Sequence, residues 1–140
     1  MLDWLKKINK EYPEFWKLYL SKFEKKSNRF VVLSTETSGL SLEKDVILSF
    51  GAFSIIDNSV VIGDSFETVV AQYKFFHENG ISNEFTIETK MKKMVEPDAI
   101  YALIDFIGNS VLVGHHIDFD VEMINVALER MDCGRLKNEA

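Results

Sequence analysis

Apolar residues fall at Leu5, Ile8, Tyr12, Phe15, Trp16, Tyr19, Leu20 and Phe23, in steps of three and four. That spacing draws a single stripe along an amphipathic helix within residues 1–26. Pro13 lacks a backbone donor, so the helix is expected to break near Glu11–Pro13 into two pieces. The stripe is expected to cap a core, with a docking face for a partner as the other reading. After a polar connector at Lys25–Asn28 the pattern changes. Phe30–Leu33 is a β-branched and aromatic run that predicts a buried strand from Arg29 to Ser34. A turn follows at Thr37–Leu40, with Gly39 expected in a left-handed conformation. Val46–Ile56 predicts a second strand, Asp57-Asn58 a tight turn, and Val60 to Phe66 or Val70 a third.

Strands so close in sequence should pair as an antiparallel meander. Residues 72–96 give no clear pattern. Pro97 suits the first turn of a helix reaching about Ile107. Val111–Gly114 is a short apolar strand, and Phe119–Met131 a helix closed by Cys133-Gly134. The order α, β-β-β, α, β, α implies an α/β fold of the ribonuclease-H-like type. Its mixed sheet has a three-stranded antiparallel meander plus one parallel strand, with helices packed on it. The division expected is a helical extension over 1–28 and an incomplete domain over 29–140.

Charge and composition narrow the function classes. The 140 residues carry a net charge of −6, which argues against nucleic-acid binding through bulk basicity. The charge is uneven. Residues 1–29 hold eight Lys/Arg against four Asp/Glu, and the remainder eight against eighteen. An acidic body with a basic arm fits either a solvated surface or acids that hold cations. One cysteine, Cys133, excludes an internal disulfide and a zinc-type cysteine cluster. No apolar run approaches the roughly 20 residues a membrane span needs, and no secretory signal pattern stands at the N-terminus. A cytoplasmic protein with no membrane partner is expected.

Two short segments could carry chemistry. In Ser34-Thr35-Glu36, residues two apart on a strand share a face, so Ser34 and Glu36 should project together. Oxygen donors at that place suit Mg²⁺ or Mn²⁺, although a lone strand-end Glu, taken by itself, reads better as a solvated acid. In Gly114-His-His-Ile-Asp-Phe-Asp120, Asp118 sits where a helix N-cap belongs and Asp120 in the first turn. Helix capping accounts for both acids. The functional reading brings Asp120 across to Glu36 to share a metal.

Phe30-Val-Val-Leu-Ser-Thr-Glu-Thr-Ser-Gly-Leu40, followed by Asp45-Val-Ile-Leu-Ser-Phe-Gly-Ala52, resembles the first motif and second strand of DnaQ-like (DEDD-type) 3′→5′ exonucleases. The family kind is that of the DNA polymerase III epsilon proofreading subunit, and its motif usually reads Asp-x-Glu-Thr-Thr-Gly-Leu. Val113-Gly-His-His-Ile-Asp-Phe-Asp120 is similar to the second motif, His-Asn-x-x-Phe-Asp, and His77–Glu84 to the loop between them. The resemblance implies hydrolysis of phosphodiesters at single-stranded or frayed 3′ ends with two Mg²⁺ or Mn²⁺ ions, and a polymerase as a partner. Carried over by position, Glu36 and Asp120 are catalytic metal ligands. Thr37, Leu40 and His116 meet substrate, Gly39 and His115 are structural, and His77 is a loop residue.

Two departures qualify that transfer. Ser34 stands at the family's first Asp, so it would hold metal only weakly or through water. The third motif, a His and a further Asp, is absent before Ala140. A truncated product, with little or no activity, is therefore expected. The strand at 111–114 is then expected to be a bare sheet edge, open to dimerisation or domain swapping. The competing readings are a non-catalytic module that binds nucleic acid or a polymerase, and a nuclease for small oligoribonucleotides.

Overall fold

The computed structural model describes residues 12–72 and 93–140. The first helix among the described residues, α1 (Glu14–Ser21), starts directly after Pro13 at the N-cap and runs into a 3-10 turn at Lys22–Glu24. From Tyr12 onward the stripe faces inward as expected, whereas Leu5, Ile8 and the helical piece expected before Pro13 lie outside the described residues. Trp16 and Tyr19 are fully buried and stacked with ring centroids 4.6 Å apart, and Phe23 meets Tyr19 edge-on at 5.0 Å. These side chains belong to the same core cluster as the sheet, so α1 is part of the domain's packing.

The sheet is built from β1 (Phe30–Thr37), β2 (Ile47–Ile56), β3 (Ser59–Ala71), β4 (Lys93–Val95) and β5 (Val111–Val113). Its spatial order is β4-β3-β2-β1-β5. The antiparallel meander β1-β2-β3 and the parallel pairing of β5 with β1 match the expected architecture. Asp57 and Asn58 both take positive φ, 53° and 64°, as the tight β2-β3 turn requires. The short β4, parallel to β3, was not foreseen. Its three residues lie in a stretch whose composition favours no element.

Among the described residues two further helices pack on the sheet, α2 (Glu96–Ile107) and α3 (Ile117–Arg130). The side chains of Val31, Leu33, Phe50, Ala52, Val70 and Leu112 face the helices and are buried. They meet Ala99, Ile100, Leu103, Ile104 and Ile107 of α2, and Met123, Ile124, Ala127 and Leu128 of α3. Residues alternating with them on the opposite face stay open: Phe30, Phe53 and Val113 are each more than a third exposed. Among the described residues, no helix is long and apolar enough to cross a membrane.

The expected bare edge at β5 is occupied. The Leu112 N–H donates to the Glu139 carbonyl at 2.7 Å, and the Asn138 side-chain amide donates to the Ser110 and Gly108 carbonyls at 2.7 and 3.0 Å. The tail is held in turn by α1. The Tyr19 hydroxyl donates to Asn138 Oδ1 at 2.5 Å and accepts from the Lys137 N–H at 2.8 Å. Burial pushes the Tyr19 phenol well above its ordinary range, so this hydroxyl stays a donor. The tail thus takes up the Leu112 donor and the Ser110 acceptor on that edge.

Arg29 fastens the start of β1. Its guanidinium donates to the Phe106 carbonyl at 2.7 Å and to Ser110 Oγ at 2.8 Å, and pairs with Asp64 at 3.1 Å. It also lies 4.7 Å from the centre of the Phe106 ring. A cation at the carbonyl end of α2 is favoured by the helix dipole. Asp64 is held below the usual carboxylate range, first by the Ser54 hydroxyl and then by Arg29, with desolvation opposing. Because that shift is downward, its stabilisation is present above the unfolded-state pKa and is lost as pH falls through the folded one. Replacing Arg29 with Met keeps the apolar stem and removes the charged donors. We expect Arg29→Met to cost about 2–3 kcal/mol, read as a lower urea midpoint at unchanged slope.

Candidate active site at the end of strand β1

The site is organised by a close pass of backbone. β5 runs parallel to β1 with Val32 opposite Val113, and the chain then turns at Gly114. A Cβ at Gly114 would lie 2.5 Å from the Leu33 carbonyl oxygen, so only glycine lets the two backbones come this near. The pass delivers His115, His116 and the first turn of α3 to the carboxyl end of β1. His116 takes the left-handed conformation at φ 52°, ψ 42° and is itself the N-cap of α3. The helix therefore begins before Asp118, which lies in its first turn and does not cap it. The His115 and His116 rings meet edge-on, 4.1 Å apart.

At the end of β1, alternation sorts the side chains. Ser34 and Glu36 are exposed on one face, as expected, whereas Thr35 points to the helix side with Val31 and Leu33. Register with β2 slips between Glu36 and Thr37: Glu36 opposes Ser49 but Thr37 opposes Ile47, which leaves Leu48 as the extra residue. A bulge of this kind re-aims side chains at a strand end.

Asp120 reaches the same strand end from α3, but it is buried, with 7% of its surface exposed. Desolvation pushes its carboxyl above the usual range. The neighbouring Thr35 hydroxyl counters part of that shift, and the His116 and His115 rings counter it to a smaller extent. Glu36 and Asp120 thus belong to one strand end but to different environments, one open and one enclosed. Among the described residues, no three His, Cys, Asp or Glu side chains gather closely enough to hold a metal ion. The donors present, two carboxylates and the Ser34 hydroxyl, are the hard oxygens that Mg²⁺ or Mn²⁺ takes. In number they suit one such ion better than two.

The loop after β1 is locked internally. Thr37 Oγ1 donates to the Gly39 carbonyl at 2.7 Å. Asp45 accepts from Ser38 Oγ at 2.9 Å and from the Ser41 N–H at 2.8 Å. Gly39 does not take a positive φ, contrary to expectation; glycine is needed there because a Cβ would stand 2.5 Å from Asp45 Oδ2. The locked loop thrusts Leu40 into solvent, 85% exposed. Sequence reasoning passed over two residues here. Asp45, the loop's latch, was quoted only as part of a motif. Thr35 was visible in the alternation as the inward neighbour of two outward residues. His77 and the loop at 77–84 lie outside the described residues.

Comparison with known proteins gives this arrangement its context. The family model described as Exonuclease (RNase_T) matches residues 31–134. A DNA polymerase III PolC-type protein of Clostridium perfringens is 35% identical over 122 residues, covering 79% of this chain and 8% of that protein. A DNA polymerase III epsilon subunit of Buchnera aphidicola is 30% identical over 111 residues, covering 72% of this chain and 45% of the subunit. The chain therefore spans less than half the length of these relatives. Among solved structures, E. coli exonuclease I in complex with a dA16 oligonucleotide superposes with a TM-score of 0.58 at 17% identity. The match covers 77% of this chain and 25% of that one. The likeness is one of fold.

An enclosed carboxylate with a raised pKa weakens the fold at neutral pH. Its folded form binds protons more readily than the unfolded one, so stability falls as pH rises from the unfolded-state pKa through the folded one. We expect Asp120→Asn to stabilise the protein at pH 7 by about 0.5–2 kcal/mol, with the gain vanishing in acid. Thermal unfolding between pH 3 and 7 checks this.

Proposed function

The chain belongs to the exonuclease family, and from that membership we propose that it is a domain that removes nucleotides from nucleic-acid 3′ ends by phosphodiester hydrolysis. The observation carrying the proposal is the arrival of the first turn of α3, with Asp120, at the strand end that bears Glu36. In this reading Glu36 and Asp120 hold a divalent cation, Mg²⁺ or Mn²⁺, with Ser34 contributing a hydroxyl or an ordered water. When bound, such a cation supplies charge stabilisation at the phosphate and activation of the attacking water.

The chain's own residues do the rest. Glu36, exposed on the open face, is free to meet a cation arriving from solvent. Asp120 is enclosed and presents its charge in a less polar setting, where an opposite charge is felt more strongly. The rigid Thr37–Leu40 loop offers the exposed Leu40 side chain to the terminal nucleotide. His116, at the head of α3, is the residue this reading sets against an entering strand. An acidic body needs cations between it and phosphate, which suits a short contact at one strand end better than a long basic groove.

The substrate of the proposal is a single-stranded or frayed 3′ end, delivered in a polymerase context like that of the PolC-type and epsilon relatives. Ser34 supplies no charge at the centre of the site, so turnover by these 140 residues is expected to be low. That same residue favours a second reading, a non-catalytic module that binds nucleic acid or a polymerase.

A 3′-labelled oligonucleotide incubated with Mn²⁺ separates the two. We expect slow shortening from the 3′ end, lost in Glu36→Ala. Full retention of cleavage by that variant contradicts the assignment. Ser34→Asp is expected to tighten Mn²⁺ binding by about tenfold or more, as an added carboxylate raises the charge of the ligand set. Calorimetry showing no gain would remove Ser34 from the site.

A further inference from the structure

One polar group at the strand end is not used by the reading above. The Thr35 hydroxyl oxygen is buried beside the Asp120 carboxylate and meets no acceptor in good hydrogen-bond geometry. Its surroundings explain why. Its cross-strand partner on β2 is Phe50, which is buried and has no side-chain acceptor. Its neighbours on the same face are Leu33 and Thr37, and the Thr37 hydroxyl is committed to the Gly39 carbonyl. A buried hydroxyl is normally paired, and one that is not marks a place where a partner arrives. The group it faces is the Asp120 carboxylate, which is itself buried.

We propose that Thr35 is a positioning residue for Asp120: its hydroxyl donates to one carboxylate oxygen and fixes the direction in which the other meets a cation. The inference rests on the assignment of Asp120 to a cation site and adds to it the residue that aims the ligand. Rotation about χ1 swings the threonine hydroxyl between staggered positions with no movement of the strand. A carboxylate that gives one oxygen to a cation keeps the other free to accept a hydrogen bond from a neighbouring hydroxyl. Partners of this kind, one bond removed from the ion, set the orientation of ligating carboxylates and change metal affinity about 10–100-fold when removed. The close pass at Gly114 fixes the backbone on both sides of the pair, so neither group can turn away from the other by a loop movement.

The test is Mn²⁺ binding to the full 140-residue chain. It is followed by paramagnetic broadening of backbone amides, which reads affinities into the millimolar range. Thr35→Val, nearly the same shape without the hydroxyl, is expected to weaken binding by about tenfold or more with a thermal midpoint that is unchanged or higher. Thr35→Ser is expected to restore the wild-type affinity. Should Thr35→Val fail to fold, Thr35→Ala set against Thr35→Ser isolates the hydroxyl in smaller side chains, with the same difference expected. Wild-type affinity in Thr35→Val, or failure of Thr35→Ser to rescue, overturns the role of Thr35 while Asp120→Asn still weakens binding. If Asp120→Asn binds Mn²⁺ as the wild type does, or the wild type binds none, the cation site falls and this inference with it.

Discussion

The approach of Gly114 to the Leu33 carbonyl is the constraint on which the proposed site depends. Parallel pairing of β5 with β1 is only three residues long, and a side chain at position 114 would hold the strands apart where they end. Without that contact, the left-handed turn at His116 and the first turn of α3 have no fixed relation to β1. With it, two segments more than eighty positions apart in the chain present their acids at one strand end. The arrangement follows the general tendency of α/β sheets to place functional groups at the carboxyl ends of parallel strands.

The rest of the fold reads as support for that one place. Arg29 anchors the opposite end of β1 to the carbonyl end of α2, so the strand cannot slide. The Glu96–Arg130 pair, at 2.7 Å, ties the start of α2 to the end of α3. The tail pinned by Tyr19 closes the outer edge of β5. Against this rigid background the buried carboxylate of Asp120 is a local weakness, with desolvation raising its pKa and only a loosely placed hydroxyl beside it. Such unfavourable groups persist where function requires them and the surroundings over-determine their position.

Much of this was legible in the chain. Alternation in Phe30–Leu33 and the turn at Asp57-Asn58 gave the meander, and the three-and-four stripe gave the inward face of α1. The shared face of Ser34 and Glu36 followed from strand period alone. What was not legible depended on distant contacts. The helix start at His116 escaped because a histidine in the left-handed region is uncommon and carries no capping signal. Gly39 was read as a turn glycine, yet its role is to make room for Asp45. The tail's occupation of the β5 edge could not be seen because Lys137-Asn138-Glu139 has no strand propensity, and its hydrogen bonds depend on a tyrosine more than a hundred residues earlier.

The account stands on Glu36 and Asp120 acting on one cation. A crystal of the 140-residue chain soaked in Mn²⁺, with anomalous data collected at the manganese edge, tests it most directly. The expected result is an anomalous peak within ligand distance of both carboxylates, with the Thr35 hydroxyl turned toward Asp120. A peak bound by neither carboxylate, or by one with the other facing away, would contradict it.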